Sequence, residues 1–267
     1  MSFQIGAISE NDPERPSRDH VGSLQRGLAV LEVLSARPAG MTMTEVASAA
    51  QLTRAGARRL LLTLEAAGYV ELEGRTFRLT PRLLALARAW LQGSTLWSCA
   101  AAPMRALSAR LQESCSVAVL SGRDIVYVAR VPGRRIMSVA LHVGVRLPAW
   151  CTSLGRVLLA DLPAEERAAF LAGVEMERLT PRTIAEPAAL AAEIERCRAR
   201  GFSIVDEELE LGLRSIAVPL RDHGGRVIAA LNVSIPSSRF TPAQMEAEIL
   251  PPLREAARQI EEYFVLE

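Results

Sequence analysis

Residues 43–79 constrain the fold of this chain more than any other stretch. They predict a short helix, a tight turn at 51–53, a second helix and two alternating strand segments around a glycine turn at 73–75. Thr53 is a suitable N-cap for the second helix, and Gly68 can end that helix in the left-handed conformation. Helix, turn, helix and hairpin in this order predict a winged helix-turn-helix.

The excess of positive over negative charge is confined to residues 21–91, which include this stretch. Residues 21–91 carry nine arginines against five acidic residues, a net charge of +4, whereas residues 1–20 and 92–267 come to −2 and −1. The chain has no lysine, and arginine binds phosphate and guanine in a bidentate manner. In a helix-turn-helix the second helix lies in the major groove. The sequence therefore predicts sequence-specific binding to double-stranded DNA through Thr53, Arg54, Gly56, Arg58 and Arg59, with Arg75 at the hairpin tip and Arg26 on the first helix.

Two other interpretations of this stretch stay open. The arginines can form an ordinary solvated helix face, or the winged helix can bind another protein. Binding to DNA that weakens steeply with salt would separate DNA recognition from a protein-interaction module.

The length of 267 residues is sufficient for two domains. Residues 1–20 mix proline with charges and predict a disordered tail; residues 21–80 form the winged helix and residues 81–98 a connector helix. Residues 99–267 predict an α/β domain with helices on the faces of a sheet. Its expected strands are 116–121, 124–130, 136–143, 204–207, 214–221 and 227–235, and its expected helices include 152–161, 164–172, 187–200 and 241–264.

Composition and motifs narrow the function. A hydrophobic content of 49% with 23% charged residues is typical of a soluble globular protein, and the chain has neither a signal peptide nor an apolar run of about 18 residues, which predicts a cytoplasmic protein without membrane contact. Four widely spaced cysteines predict reduced thiols, and the acidic run 206–210 has no nearby histidine, so no metal is expected. Nucleophile-elbow, Walker and dinucleotide-binding motifs are lacking. We expect no enzyme and no cofactor.

Five segments resemble the IclR family of bacterial transcription regulators. They are SLQRGLAVLEVL, MTMTEVASAAQLTRAGARRLLLTLEAAGYVE, FRLTPRLLALA, RRIMSVALHVGVRLPAWCTSLGRVLLADL and GFSIVDEELELGLRSIAVPLRD. Arg221 and Asp206 depart from the family pattern. The resemblance implies a GAF-like effector-binding domain and a homodimer or dimer of dimers on a palindromic operator. The last two segments are similar to the branch that controls aromatic-acid catabolism through the β-ketoadipate pathway, which implies an effector such as protocatechuate, 4-hydroxybenzoate or muconate.

The resemblance also implies where an effector binds. By position, the pocket includes Cys151, Ser153, Leu154, Gly155, Leu213, Arg214, Ser215, Asn232 and Ser234. Free N–H groups where the helix after Thr152 begins favour an anion. A carboxylate also favours a guanidinium, for which Arg214, Arg134 and Arg135 are candidates, although strand alternation places Arg214 and Ser215 on opposite faces. Trp150 and Met137 are candidates for the flat wall against an aromatic ring.

Other readings of these pocket residues remain. Each can instead serve core packing or an ion pair with Glu207, Glu208 or Glu210. The effector can be a different small carboxylate. Cys151 at a helix start can also act as a redox switch, because such thiols ionise more easily.

Overall fold

Contacts between residues divide the chain into two units, Met1–Gly93 and Ser94–Glu267. The computed structural model describes residues 21–86, 96–133 and 142–262, with the backbone alone for 96–98. The predicted tail 1–20 and the middle of the predicted connector, 87–95, lie outside the described residues. The connector's first part is helical at 82–86.

The N-terminal unit is a helix-turn-helix followed by a wing, as the sequence predicts. Its helices are α1 (Gly22–Ser35), α2 (Met43–Ala49) and α3 (Arg54–Ala66), and its strands are β1 (Met41–Thr42), β2 (Val70–Glu73) and β3 (Thr76–Leu79). The strands form an antiparallel sheet in the order β1-β3-β2. One buried cluster joins helices and wing: Val30, Val33, Leu34, Met41, Val46, Leu61, Val70 and Phe77.

Side-chain caps explain where two of these helices begin. Thr42 and Glu45 form a capping box on α2, in which the Glu45 carboxylate accepts a hydrogen bond of 2.8 Å from the Thr42 N–H. The Thr53 hydroxyl accepts one of 3.1 Å from the Gly56 N–H at the start of α3. The first helix has no such cap: it begins at Gly22, Val21 at its N-cap makes no side-chain bond, and Ser23 lies inside the helix.

The C-terminal unit is built on one six-stranded antiparallel sheet with the order β6-β5-β4-β9-β8-β7. Its strands are β4 (Ser114–Ser121), β5 (Asp124–Val131), β6 (Arg146–Pro148), β7 (Ser203–Asp206), β8 (Leu213–Arg221) and β9 (Val227–Pro236). Its helices are α4 (Leu96–Leu111), α5 (Ser153–Asp161), α6 (Ala164–Gly173), α7 (Pro187–Arg200) and a closing helix, α8, made of the segments Pro242–Gln244, Met245–Ile249 and Leu250–Glu262. The α/β class predicted for this unit is confirmed.

Strand alternation gives the sheet two buried faces. One face packs on α4 and α8 through residues such as Val117, Ile216 and Val233. The other packs on α5 and α7 through Ala118, Ala217 and Ala230. Because successive side chains point to opposite faces, each strand contributes to both cores, and the small residues on the α5 face leave room beneath that helix.

Two elements differ from the sequence prediction. The expected strand 136–143 falls mainly outside the described residues, and its last two positions, His142 and Val143, lie in a turn before the short edge strand β6. The closing helix is interrupted by a π-helical turn at Met245–Ile249. The two prolines that follow, Pro251 and Pro252, have no N–H to donate, which accounts for a change of hydrogen-bond register immediately before them.

Candidate DNA interface and ligand cavity

The exposed surface of α3 carries three guanidinium groups. Arg54, Arg58 and Arg59 are all exposed, while Ala57 and Leu61 on the opposite face are buried. The side chains of Arg58 and Arg59 make no hydrogen bond or ion pair to any residue that the structure describes. Arg54 differs, because its Nη2 donates to the Thr44 hydroxyl at 2.9 Å. This contact fixes Arg54 against α2 and leaves Arg58 and Arg59 as the free donors.

The small residues of α3 and the wing tip complete this surface. Gly56 is half-buried beside its cap Thr53, so its backbone lies near the surface without a side chain in the way. Arg75 is exposed at the hairpin tip, next to Gly74, whose φ of +62° favours glycine. Arg26 is exposed on α1, but its Nε donates to the Gly22 carbonyl at 2.9 Å. Five arginines therefore lie exposed on this unit at the predicted positions, two of them engaged locally.

The C-terminal unit contains a cavity between α5 and the sheet. The space not filled by atoms there, counted together with the solvent open to it, is about 360 Å³. Ten residues line it: Tyr127, Cys151, Thr152, Ser153, Val205, Leu209, Leu213, Ser215, Asn232 and Ser234. Leucine and valine form one wall, and hydroxyl and amide groups gather at the start of α5 and on the facing strands.

The start of α5 borders this polar side, since Thr152 and Ser153 line the cavity. Thr152 caps the helix by accepting a hydrogen bond of 3.2 Å from the Gly155 N–H. The N–H groups of Ser153 and Leu154 have no hydrogen-bond partner among the described residues, as expected at a helix start. The Ser153 hydroxyl donates to Ser215 Oγ at 2.9 Å and so connects the helix to β8. A helix start of this kind favours an anion through both its free donors and its dipole.

A buried amide lies further along the same side. Asn232 is 3% exposed; its Nδ2 donates to Ser234 Oγ at 3.2 Å, and its Oδ1 has no hydrogen-bond partner among the described residues. Tyr127 is also buried, and burial raises the pKa of its hydroxyl to about 12, so the phenol stays protonated and can donate. Because an unpaired buried polar atom is costly, a ligand that donates to Asn232 would bind favourably here.

Six of the residues implied by the resemblance line the cavity. Cys151, Ser153, Leu213, Ser215, Asn232 and Ser234 surround it, while Trp150 and Leu154 are buried in the core around α5. Gly155 serves close packing, since a Cβ there would lie 2.0 Å from the Ala149 carbonyl oxygen. Arg134, Arg135 and Met137 lie outside the described residues.

Arg214 does not line the cavity. Its Nη2 and Nε lie 2.6 Å and 2.7 Å from Asp206 Oδ1, and its Nη1 donates to the carbonyls of Ser237 and Phe240. This side chain lies on the α8 face of the sheet, as strand alternation requires once Ser215 faces α5. None of the described residues that line the cavity is an arginine.

Sequence reasoning missed several residues of this site. Tyr127, Val205 and Leu209 line the cavity but carry no local motif. Arg156 was also missed: it is fully buried, and its Nη1 and Nη2 donate to the two carboxylate oxygens of Glu208 at 2.8 Å and 2.6 Å. The sequence does contain a signal for Arg156. It directly precedes the apolar run Val157–Ala160 in the same helix, and an arginine that is buried with such a run requires a buried acceptor.

A metal site and a redox switch at Cys151 receive no support from the described residues. Within the described ranges, no three histidine, cysteine or acidic side chains are grouped to hold a metal ion, and no helix there is long and apolar enough to cross a bilayer. Cys151 is buried, and burial raises the pKa of its thiol to about 12. The helix start therefore does not produce the reactive thiolate that a redox switch requires.

Comparison with known families covers both units. Residues 23–74 match the IclR helix-turn-helix domain, and residues 88–262 match the bacterial transcriptional regulator IclR C-terminal domain.

Individual relatives extend over nearly the full chain. The chain is 41% identical over 243 residues to the Pca regulon regulatory protein of Pseudomonas putida, covering 91% of this chain and 84% of that protein. It is 33% identical to the p-hydroxybenzoate hydroxylase transcriptional activator of Acinetobacter baylyi, covering 96% and 97%. The crystal structure of an IclR homolog complexed with 4-hydroxybenzoate from Microbacterium hydrocarbonoxydans superposes with a TM-score of 0.79 at 28% identity, over 92% of this chain and all of that one. This chain therefore belongs to the IclR family of bacterial transcriptional regulators.

Proposed function

We propose that this regulator binds an aromatic carboxylic acid in the cavity under α5 and that the ligand controls its binding to promoter DNA. The observation that carries the proposal is the chemistry of the cavity wall. The start of α5 with Ser153 lies at one side, Val205, Leu209 and Leu213 form an apolar wall, and Asn232 Oδ1 is buried without a partner among the described residues. A flat ring with a carboxylate and a hydroxyl group fits these three features. Its carboxylate can lie at the helix start, its ring can pack on the apolar wall, and its hydroxyl can donate to Asn232 Oδ1.

The relatives support the same ligand class. One is named for control of p-hydroxybenzoate hydroxylase, and one solved homolog is complexed with 4-hydroxybenzoate. Among the described lining residues, the groups available to the carboxylate of such a ligand are neutral donors and the start of α5. Helix N-termini hold anions in this way in many proteins.

Isothermal titration calorimetry tests the ligand class. We expect heat from at least one of 4-hydroxybenzoate, protocatechuate and cis,cis-muconate, and loss of that heat in Ser215→Leu, which fills the cavity. Ala118→Val, a substitution on β4 outside the cavity lining, is the control for general damage to the sheet. No heat from any of the three compounds would remove the aromatic-acid proposal and leave a different small carboxylate to be sought.

We further propose that the protein acts in the cytoplasm as a homodimer or dimer of dimers on a palindromic operator. The support is geometric: one chain has one α3, and helix-turn-helix proteins pair two recognition helices on half-sites about one helical turn apart. Analytical ultracentrifugation with and without a DNA fragment from upstream of the gene measures the number of chains. A monomer bound to a single half-site would contradict the proposal.

Salt dependence separates DNA recognition from a protein-interaction module. If Arg58, Arg59 and Arg75 meet phosphates or bases, the affinity for promoter DNA falls steeply between 50 and 200 mM salt, since each neutralised phosphate adds about 0.9 to the slope of log K against log salt. Affinity that does not change with salt would favour the protein-binding alternative.

A further inference from the structure

A buried ion pair joins α5 to the segment that connects β7 and β8. Arg156 has no exposed surface and Glu208 is 6% exposed. The two guanidinium nitrogens donate to the two carboxylate oxygens, and Arg156 Nε donates to the Trp150 carbonyl at 3.1 Å. Removing one partner of such a pair leaves a buried charge uncompensated, so the geometry is held firmly.

The same glutamate also fixes a third segment. The Ile184 N–H donates to Glu208 Oε2 at 3.0 Å, and the Thr183 hydroxyl donates to the Glu208 carbonyl at 2.7 Å. The Thr180 hydroxyl donates to the neighbouring Glu207 carbonyl at 2.7 Å. Glu208 is therefore the point at which α5, residues 180–184 and the β7–β8 connection meet.

The β7–β8 connection, Glu207–Gly212, has the form of a lid on the cavity, and we call it the lid segment. Leu209 within it and Leu213 directly after it line the cavity. Its first and last residues both have left-handed backbone conformations, with φ of +59° at Glu207 and +82° at Gly212. Such conformations are uncommon for a non-glycine residue and persist where surrounding contacts impose them. At Glu207 those contacts include the bonds around Glu208.

The ion pair and the cavity share two elements but no residue. Arg156 lies one turn beyond Ser153 on α5, and Glu208 directly precedes Leu209, yet neither Arg156 nor Glu208 lines the cavity. We propose that Arg156 and Glu208 are positioning residues for the effector: their ion pair holds the lid segment closed over the ligand and sets how long the ligand stays bound. This inference rests on the proposed binding of an aromatic acid in this cavity.

The test compares Glu208→Gln with the parent protein, full length, using 4-hydroxybenzoate as the probe, or whichever aromatic acid gave heat. Glutamine keeps the size of the side chain and removes its charge. We expect the affinity to fall at least about fivefold, the lower end of typical coupling between sites. The loss should come from a faster dissociation rate, which stopped-flow fluorescence measures. The association rate should not fall, because a loosened lid does not obstruct entry.

Glu113→Gln is the matched control. Glu113 is 2% exposed and pairs with Arg239 in the same unit, but neither residue lines the cavity. This variant should lose stability in urea, as Glu208→Gln should, without a change in ligand dissociation rate. A purely structural role for Glu208 would make the two variants alike in both measurements, which would overturn the proposal.

Arg156→Lys provides the second variant and a rescue. Lysine retains the charge opposite Glu208 but loses the bidentate geometry and the bond to Trp150. We expect a dissociation rate between those of the parent and Glu208→Gln; if Glu208→Gln does not fold, an increase over the parent in Arg156→Lys supports the proposal and the parent's rate overturns it. Failure of the parent to bind any aromatic acid would instead contradict the proposed function.

Discussion

Arg214 and Ser215 are consecutive in β8, yet their side chains lie on opposite faces of the sheet. The Ser215 hydroxyl accepts a hydrogen bond from Ser153 at the start of α5, whereas the Arg214 guanidinium contacts Asp206. The arginine nearest in sequence to the cavity is therefore separated from it by the sheet. Under the proposed function, Arg214 would therefore not contact the effector carboxylate, whereas Ser153 and Ser215 line the cavity.

Substitution of these two neighbours should separate stability from ligand binding. Arg214→Gln is expected to reduce the free energy of unfolding by about 1.5–3 kcal/mol, because Asp206 loses a charged hydrogen-bond partner, while ligand affinity stays within about twofold. Ser215→Val should lower ligand affinity by roughly 1–3 kcal/mol, since it leaves the Ser153 hydroxyl without its partner. Urea unfolding and calorimetry on both variants measure the two effects. A large loss of ligand affinity in Arg214→Gln would contradict this prediction and show that Arg214 contributes to ligand binding.

Arg58 and Arg59 should carry DNA recognition by α3. Each change to alanine is expected to weaken binding to promoter DNA by about 1–3 kcal/mol if the guanidinium contacts guanine, and a phosphate contact would instead reduce the salt slope by about one ion. Gel-shift titrations at several salt concentrations distinguish these outcomes. Arg37→Ala is the control, because Arg37 is exposed on the same unit but pairs with Glu45 at 3.4 Å. Parent-like affinity in both variants would exclude α3 as the reading helix.

Stability should decline at alkaline pH. Burial raises the pKa of the thiols of Cys115, Cys151 and Cys197 to about 12, whereas a thiol in the unfolded chain ionises near pH 8.5. Between these values the unfolded chain releases protons that the folded protein keeps, so unfolding becomes more favourable as pH rises. Each thiol should contribute a loss of roughly 1.4 kcal/mol per pH unit in this window.

Urea unfolding between pH 7.5 and 10.5 checks this prediction. The free energy of unfolding should be nearly constant below about pH 8 with respect to these groups and fall above pH 9. Cys151→Ala should reduce the slope by the contribution of one thiol. A slope that Cys151→Ala leaves unchanged would show that this thiol titrates alike in the folded and unfolded protein.

Gly155 should not tolerate even one added methyl group. A Cβ there would lie 2.0 Å from the carbonyl oxygen and 2.4 Å from the Cα of Ala149, both backbone atoms. Gly155→Ala is therefore expected to destabilise the C-terminal unit by at least about 1–3 kcal/mol through overpacking. Gly173→Ala is the control, since its nearest neighbour is the flexible end of Arg123 at 2.9 Å. Equal melting temperatures for the two variants would contradict the close approach of α5 to Ala149.

The local signals in the sequence were sufficient for most of the fold. Thr53 and Gly68 predict the limits of α3 because caps and left-handed residues act within a few positions. Alternating apolar residues similarly predict β8 and β9. The edge strand β6 was not predicted, because Arg146–Pro148 is too short to show a period and owes its conformation to pairing with β5.

The cavity was only partly predictable, for a physical reason. Ser153 and Ser215 are 62 residues apart and meet because the strand order brings β8 beneath α5. Tyr127 belongs to β5, which β4 and β9 separate from β8 in the sheet. No local pattern indicates that its side chain reaches the cavity. Arg156 contradicts the usual expectation that arginine is exposed, and its burial is compensated by two distant acceptors, the Glu208 carboxylate and the Trp150 carbonyl.

Thr42 takes part in two structures at once. It pairs with Thr76 in the wing sheet, and it caps α2 through Glu45. Thr42 thus joins the wing to the helix pair, and the buried cluster around Leu61 and Phe77 packs the same elements together. These contacts leave the winged helix-turn-helix few internal degrees of freedom, so ligand binding can change little within one copy of it. In an assembly of several chains, ligand binding could instead change the distance and angle between whole copies of the winged helix-turn-helix.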